Sequence, residues 1–227
     1  RDYKVTGVQT CALPILMRPE VLQAMDDAAQ VFVNMTDLNR AAGEVVARAC
    51  GADKGLVTSG CAAAQVLMVA ACMTGQNEDN VEQLPDTTGM KNEVILFKGQ
   101  RNRYDKSFVT PGATLVEFGS ETDATVEELE AAINENTACI AFVVAPFLPT
   151  GIGLEETIRL AREHDVPVIV DAAAEVPPRA NLSKFIKMGA DMVGFSGGKG
   201  IGGPQATGLL AGSSDLMEAA FMNSLNL

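Results

Sequence analysis

From Pro19 onward apolar residues recur at helical spacing, with Val21, Leu22, Met25, Ala28, Ala29 and Phe32 on one face. Thr36-Asp37 then reads as the cap of a second helix carrying Leu38, Ala41, Ala42, Val45, Val46 and Ala49, stopped by Gly51. Beyond Gly51 the period changes, and short apolar runs alternate with amphipathic ones. Residues 56–58 predict a strand that enters the turn Ser59-Gly60-Cys61-Ala62-Ala63 and a small-residue helix reaching Met73. The polar stretch 75–92, with Pro85 and Gly89, reads as a long surface loop. Strands are expected at 93–97, 114–118, 138–144 and 166–170, and helices at 125–133 and 154–164. Glu127, Glu128 and Glu130 mark a solvated helix face. A last strand pair, 191–195 and 207–211, brackets a glycine-rich loop, and an amphipathic run follows from Ser214 to Met222. Strands that are apolar throughout, each followed by a helix, imply a mostly parallel sheet covered on both faces. The expected class is α/β, a three-layer αβα sandwich, with no internal repeat.

Composition removes several kinds of function. The chain has 227 residues, 47% of them hydrophobic and 20% charged, which excludes a disordered polymer. Seventeen basic against twenty-nine acidic residues give a net charge of −12. Such a surface repels phosphate backbones and anionic lipid, so neither nucleic acid nor a membrane is an expected partner. No stretch approaches the roughly 18 apolar residues of a membrane span. A single histidine, His164, in the polar stretch Arg162-Glu163-His164-Asp165, removes chemistry built on His dyads, triads or zinc and is expected at the surface. No metal is expected. Cys50, Cys61, Cys72 and Cys139 sit in apolar runs without a C-x-x-C pair, the habit of buried free thiols in a reducing cytoplasm. Residues 1–16 lack periodicity and resemble the translation of a sequencing-library adapter, which leaves 17–227 as the folding unit.

Ligands of open α/β sheets bind beyond the carboxyl ends of the strands, and three such ends here carry unusual chemistry. Ser59-Gly60-Cys61-Ala62 opens a helix whose free N–H groups suit a phosphate; a plain capped turn would look the same. Asp171 ends a buried strand, where a carboxylate needs a partner: a protonated ring nitrogen, a metal, or a helix cap. The third end is Phe195-Ser196-Gly197-Gly198-Lys199-Gly200-Ile201-Gly202-Gly203-Pro204-Gln205. Gly198, Gly200 and Gly203 match G-x-G-x-x-G, but Pro204 and a strand follow where a dinucleotide site needs a helix. Lys199 is followed by Gly200 rather than Ser or Thr, so a nucleotide P-loop fails as well. A phosphate cradle, an acid for a ring nitrogen and an amine able to condense with an aldehyde together make the parts list for pyridoxal 5'-phosphate (PLP).

The order of these parts resembles the large domain of fold-type I PLP enzymes, from about Met17 to the end of the chain. The Phe195–Gln205 run is similar to the group containing bacterial selenocysteine synthase (L-seryl-tRNA selenium transferase) and D-glucosaminate-6-phosphate ammonia-lyase. Asp171-Ala172-Ala173-Ala174-Glu175-Val176-Pro177-Pro178, Asn181-Leu182 and Gly198 lean toward the ammonia-lyase branch. The resemblance implies that Lys199 carries the cofactor and acts as general acid and base. It implies that Asp171 keeps the pyridine nitrogen protonated and that Ala173 packs on the ring. Ser59, Gly60, Cys61, Ala62 and Ser196 would hold the phosphate. Gln100 stands where relatives of this branch carry a His, and Leu148-Pro149-Thr150-Gly151 resembles an aminotransferase Asn-Pro-Thr-Gly turn without its Asn.

The implied activity is a PLP-dependent lyase performing Cα deprotonation and β-elimination, with ammonia released from a small anionic amino acid or amino-sugar acid. Arg101, Arg103 and Lys106 could bind its anionic group or could form a solvated face. Seryl-tRNA selenium transfer is the alternative, and a nucleotide-binding or noncatalytic α/β protein is a second. A homo-oligomer is expected. The small C-terminal domain of such enzymes is expected to be missing, leaving exposed apolar surface near 216–227.

Overall fold

The computed structural model describes residues 17–224, so the adapter-like segment 1–16 lies outside the described residues. Two helices lead in: α1 (Pro19–Ala28) and α2 (Met35–Cys50). Then come β1 (Lys54–Thr58), α3 (Cys61–Thr74), α4 (Glu78–Gln83), β2 (Glu93–Phe97), α5 (Lys106–Val109), β3 (Thr114–Phe118), α6 (Val126–Ala132) and β4 (Thr137–Val143). The series ends with α7 (Leu154–Glu163), β5 (Val168–Asp171), α8 (Asn181–Met188), β6 (Met192–Ser196), β7 (Gly208–Gly212) and α9 (Ser214–Met222). One seven-stranded sheet runs β1-β7-β6-β5-β4-β2-β3. Only β7 runs against the direction of the other six strands, so the sheet is mixed but mostly parallel.

Alternation along the strands fills both faces. Ile95, Phe97, Ile140, Phe142, Val168 and Val170 pack into one core with Leu129 of α6, Ile158 of α7 and Phe185 of α8. Val94, Leu96, Cys139, Ala141 and Ile169 enter the other with Met68 of α3 and Met217 of α9. Two buried faces explain why the strands read as unbroken apolar runs. The three-layer αβα expectation holds.

Several boundaries differ from the sequence expectations. The cap of α2 is Asn34, not Thr36-Asp37: its side-chain oxygen accepts from the N–H groups of Thr36 at 2.9 Å and Asp37 at 3.2 Å. The 75–92 stretch is not loop throughout, because Asn77 caps α4 within it. The exposed apolar surface expected near 216–227 does not occur over its described part. There α9 lies on α3 and buries Met217, Ala219 and Ala220. Apolar exposure is instead concentrated before the sheet. Helix α1 buries no residue, and Leu22, Met25, Val31, Phe32, Val33 and Leu38 all face out. No helix among the described residues is long and apolar enough to cross a membrane.

Candidate active site

Strands β4, β5 and β6 end along one edge, where a cleft of about 390 Å³ is lined by Val143, Asp171, Ala173, Lys199, Arg103 and Phe147, among others. Parallel order delivers two of these groups and the end of β6 to the same edge: Val143 pairs in register with Asp171, and Asp171 with Gly194, two residues before Ser196. The chain then turns through Lys199 and returns as β7, so the lysine hangs over the strand ends rather than continuing the sheet.

Asp171 is buried and held by three donors. Its Oδ1 accepts the Ala173 N–H at 3.0 Å and the Cys61 thiol at 3.5 Å, and its Oδ2 accepts a short hydrogen bond from Gln65 Nε2. Burial pushes its carboxyl above the usual range, while the Ala173 N–H, the Cys61 thiol and the Lys199 charge pull it back. Desolvation and the Asp171 carboxylate hold the Cys61 thiol well above its ordinary range, so it stays protonated. The Lys199 side chain has no hydrogen-bond or ion-pair partner among the described residues; it lines the same cleft as Asp171, and its charge acts on that carboxyl.

The glycines of the Lys199 loop answer to close approach. A Cβ on Gly200 would lie 1.7 Å from the Val176 carbonyl oxygen, so this side of the loop is pressed on the turn after β5. Gly203 N donates to Gly197 O at 2.8 Å, and Gly202 N to Lys199 O at 3.0 Å. The loop leads into β7 at Gly208 rather than into a helix, so the G-x-G-x-x-G match has no dinucleotide geometry.

A second pocket feature adjoins this edge. Gly208 pairs in register with Thr58 on one side and Ser196 on the other, which sets Ser196 and the Ser59–Ala62 turn about 10 Å apart, two strand spacings. Gly60, at φ 105°, begins α3 with no side-chain cap, and a Cβ there would meet nothing within 4 Å. The open turn, uncapped helix start and partly exposed Ser196 fit a phosphate group. Asp171 fits a protonated ring nitrogen and Lys199 an aldehyde.

Of the expected site residues, Asp171, Ala173 and Lys199 line the cleft, and Cys61 reaches it through Asp171. Ser59, Gly60, Ala62 and Ser196 stand at the adjoining turn and strand end. Gln100 does neither: it is buried, and its side-chain oxygen accepts the Val143 N–H at 2.9 Å, closing the end of β4. Arg101 is committed to Asp105 at 2.5 Å and to Glu117, whereas Arg103 stands at the cleft with its guanidinium 5.9 Å from the Tyr104 ring. Lys106 is exposed outside the cleft lining, and exposed His164 lies 3.7 Å from Glu130. Sequence reasoning missed Gln65 and the cleft walls Tyr104 and Phe147. Gln65 left a signal, being the lone polar residue in Cys61–Met73 and four places after Cys61.

This fold and this strand-edge cleft define the large domain of the fold-type I enzymes. A likeness to an alanine–glyoxylate aminotransferase from Nostoc sp. (TM-score 0.60, 21% identity, 92% of this chain and 54% of that one) shows the same fold. The chain belongs to the SelA family, L-seryl-tRNA selenium transferase, whose family model matches residues 20–226. It is 36% identical over 200 residues to D-glucosaminate-6-phosphate ammonia lyase of Salmonella typhimurium, covering 86% of this chain and 53% of that protein. It is 34% identical over 207 residues to 5'-C-glycyluridine monooxygenase-decarboxylase of a Streptomyces species, covering 88% and 51%. A solved structure of D-glucosaminate-6-phosphate ammonia-lyase superposes with a TM-score of 0.87 at 32% identity, over 92% of this chain and 57% of that one. The chain thus spans about half the length of the curated relatives it matches.

Proposed function

We propose that this chain is the cofactor-binding domain of a PLP-dependent carbon–nitrogen lyase. The observation that carries the reading is that Asp171, buried and triply hydrogen-bonded, and the unpartnered Lys199 line one cleft, beside an open helix start. Bound there, PLP supplies an electron sink for negative charge developing at a substrate carbon. Lys199 would hold the cofactor aldehyde covalently and, once displaced by the substrate amine, move the proton at Cα. Asp171 would keep a proton on the ring nitrogen. The N–H groups at the start of α3 and Ser196 would bind the phosphate. Arg103, at the cleft without an ion pair among the described residues, suits a carboxylate or phosphate of a small anionic substrate. Exposed Tyr104 and Phe147 offer apolar walls that would exclude water once substrate is seated.

The net reaction loses the Cα proton and a Cβ hydroxyl as water; hydrolysis then returns water and releases ammonia with a 2-keto product. Similarity to the ammonia lyase in sequence and in fold supports this branch. Seryl-tRNA selenium transfer is the second reading, favoured by the family match, but the charge of −12 gives little attraction for tRNA. Free thiols at all four described cysteines agree with a cytoplasmic setting, and the apolar face of α1 agrees with a homo-oligomer.

The test uses the full-length protein with PLP and D-glucosaminate 6-phosphate or other small anionic 2-amino acids. Ammonia and a keto product should appear without a keto-acid acceptor. Strict dependence on an acceptor would mean transamination, carbon dioxide release would mean decarboxylation, and retention of labelled seryl-tRNA would favour the second reading.

A further inference from the structure

We propose that Gln65 is a positioning residue for this site: with Cys61, one helical turn before it, Gln65 clamps the Asp171 carboxylate in the ionised, cleft-facing state that a protonated ring nitrogen requires. The inference deepens the PLP reading of the same site and rests on it.

Cys61 and Gln65 are four residues apart on α3 and therefore share one face of it. Each takes a different oxygen of Asp171, the thiol Oδ1 and the amide Nε2 Oδ2, while the Ala173 N–H shares Oδ1. Two contacts from a rigid helix and one from the carboxylate's own turn fix both its orientation and its lone pairs. Gln65 is itself buried in a helix that is otherwise nearly all apolar. A polar side chain in that position costs free energy unless its bonds are made, and Gln65 leaves its Oε1 buried without a partner. The bond to Asp171 is its compensation. A packing role alone would be filled better by Met or Leu.

The groups facing Asp171 come from every element packed around it. Cys61 and Gln65 lie on α3, Lys199 on the loop after β6, Asp105 just before α5, and Glu175 on the turn after β5. Lys199 favours the charged carboxylate; Asp105 and burial oppose it. Asp105 is engaged through its Oδ2 by Arg101 and by the Asn102 N–H at 3.0 Å, its Oδ1 is buried without a partner, and Gln65 is the neutral donor on Asp171 Oδ2. Donors to a carboxylate favour its ionised form.

The experiment compares wild type with Gln65→Met, which keeps the length and suits the apolar surroundings but cannot donate, and with Gln65→Glu, which donates only when protonated. In cofactor-free protein the Asp171 carboxyl is titrated by its carbon-13 chemical shift. Gln65→Met should raise the midpoint, with the acid dissociation constant falling about tenfold, as expected for one hydrogen bond to a charged group. In the PLP-loaded chain, Gln65→Met should weaken cofactor affinity about tenfold. Gln65→Glu should fall below Gln65→Met at high pH and recover toward wild type as pH drops through the carboxyl range. That recovery could not come from a misfolded chain. An Asp171 midpoint unmoved by Gln65→Met, or a Gln65→Glu affinity that does not recover, overturns the inference. If wild type never forms a visible PLP band, the cofactor reading falls, and the cofactor-free titration still decides the clamp.

Discussion

Asp171 couples the stability of the empty chain to pH. Its folded carboxyl titrates above the ordinary range because burial outweighs the Ala173, Cys61 and Lys199 contributions. A carboxyl raised on folding binds its proton more tightly in the folded state, so its effect is neutral below the unfolded range. As pH rises from the unfolded midpoint to the folded one it increasingly destabilises the fold, and above the folded midpoint the penalty is constant. Asp171→Asn should therefore make the cofactor-free chain more stable than wild type at neutral pH, with the gap closing as pH falls below the ordinary Asp range. Urea midpoints at both ends of that window measure it, and a constant gap would show that Asp171 ionisation does not set the difference. Gly200 makes the opposite case. Its missing Cβ would lie 1.7 Å from the Val176 carbonyl oxygen, a backbone atom that cannot step aside. Gly200→Ala should cost about 2 kcal/mol or more and displace the Lys199 loop, read as a lowered melting temperature. Residues such as Asp171 and Lys199 were legible because a charge at the end of an apolar strand, or between glycines, is chemically conspicuous. Gln100 was not: only the fold reveals that its amide closes the Val143 N–H. Gln65 showed as a lone polar position, but its partner lies 106 residues away.

Among the elements, the strands were the most legible, because burial on both faces writes them as unbroken apolar runs. β2 and β3 fall where their patterns place them, Glu93–Phe97 and Thr114–Phe118. Caps were less legible where several polar residues stand together. In Asn34-Met35-Thr36-Asp37 three side chains could cap, and geometry selects Asn34, whose oxygen reaches two N–H groups. Helix α6 carries a reciprocal pair: Thr125 accepts from Glu128 N at 3.2 Å, and the Glu128 carboxylate accepts from Thr125 N at 2.8 Å. Thr125→Ala should lower stability by about 1 kcal/mol in chemical denaturation. Because α6 packs beneath β3, away from the cleft, PLP affinity should stay unchanged. A large loss of affinity would show that the outer layer is coupled to the site.

At the scale of the whole molecule, the sheet gathers chemistry from residues more than a hundred positions apart onto one edge, and no local pattern predicts that convergence. The order β1-β7-β6-β5 supplies it, since Gly208 sits between Thr58 and Ser196. The exposed apolar residues were misplaced by sequence reasoning, because the amphipathic pattern of α9 does not disclose that α3 covers it. The uncovered face belongs to α1 and the segment after it, where Leu22, Met25 and Phe32 face outward. We expect that face to pack against a second copy, so Leu22→Ser with Phe32→Ser should reduce the sedimentation coefficient of the intact protein. An unchanged coefficient would place the contact elsewhere.

In the proposed function Lys199 and Asp171 hold PLP between them. Its most direct measurement is borohydride reduction of the PLP-loaded protein followed by peptide mass mapping. Loss of the visible band and one modified residue, Lys199, are expected, with no modification in Lys199→Ala. A stable adduct on another lysine, or an equal yield of adduct in Lys199→Ala, would contradict it.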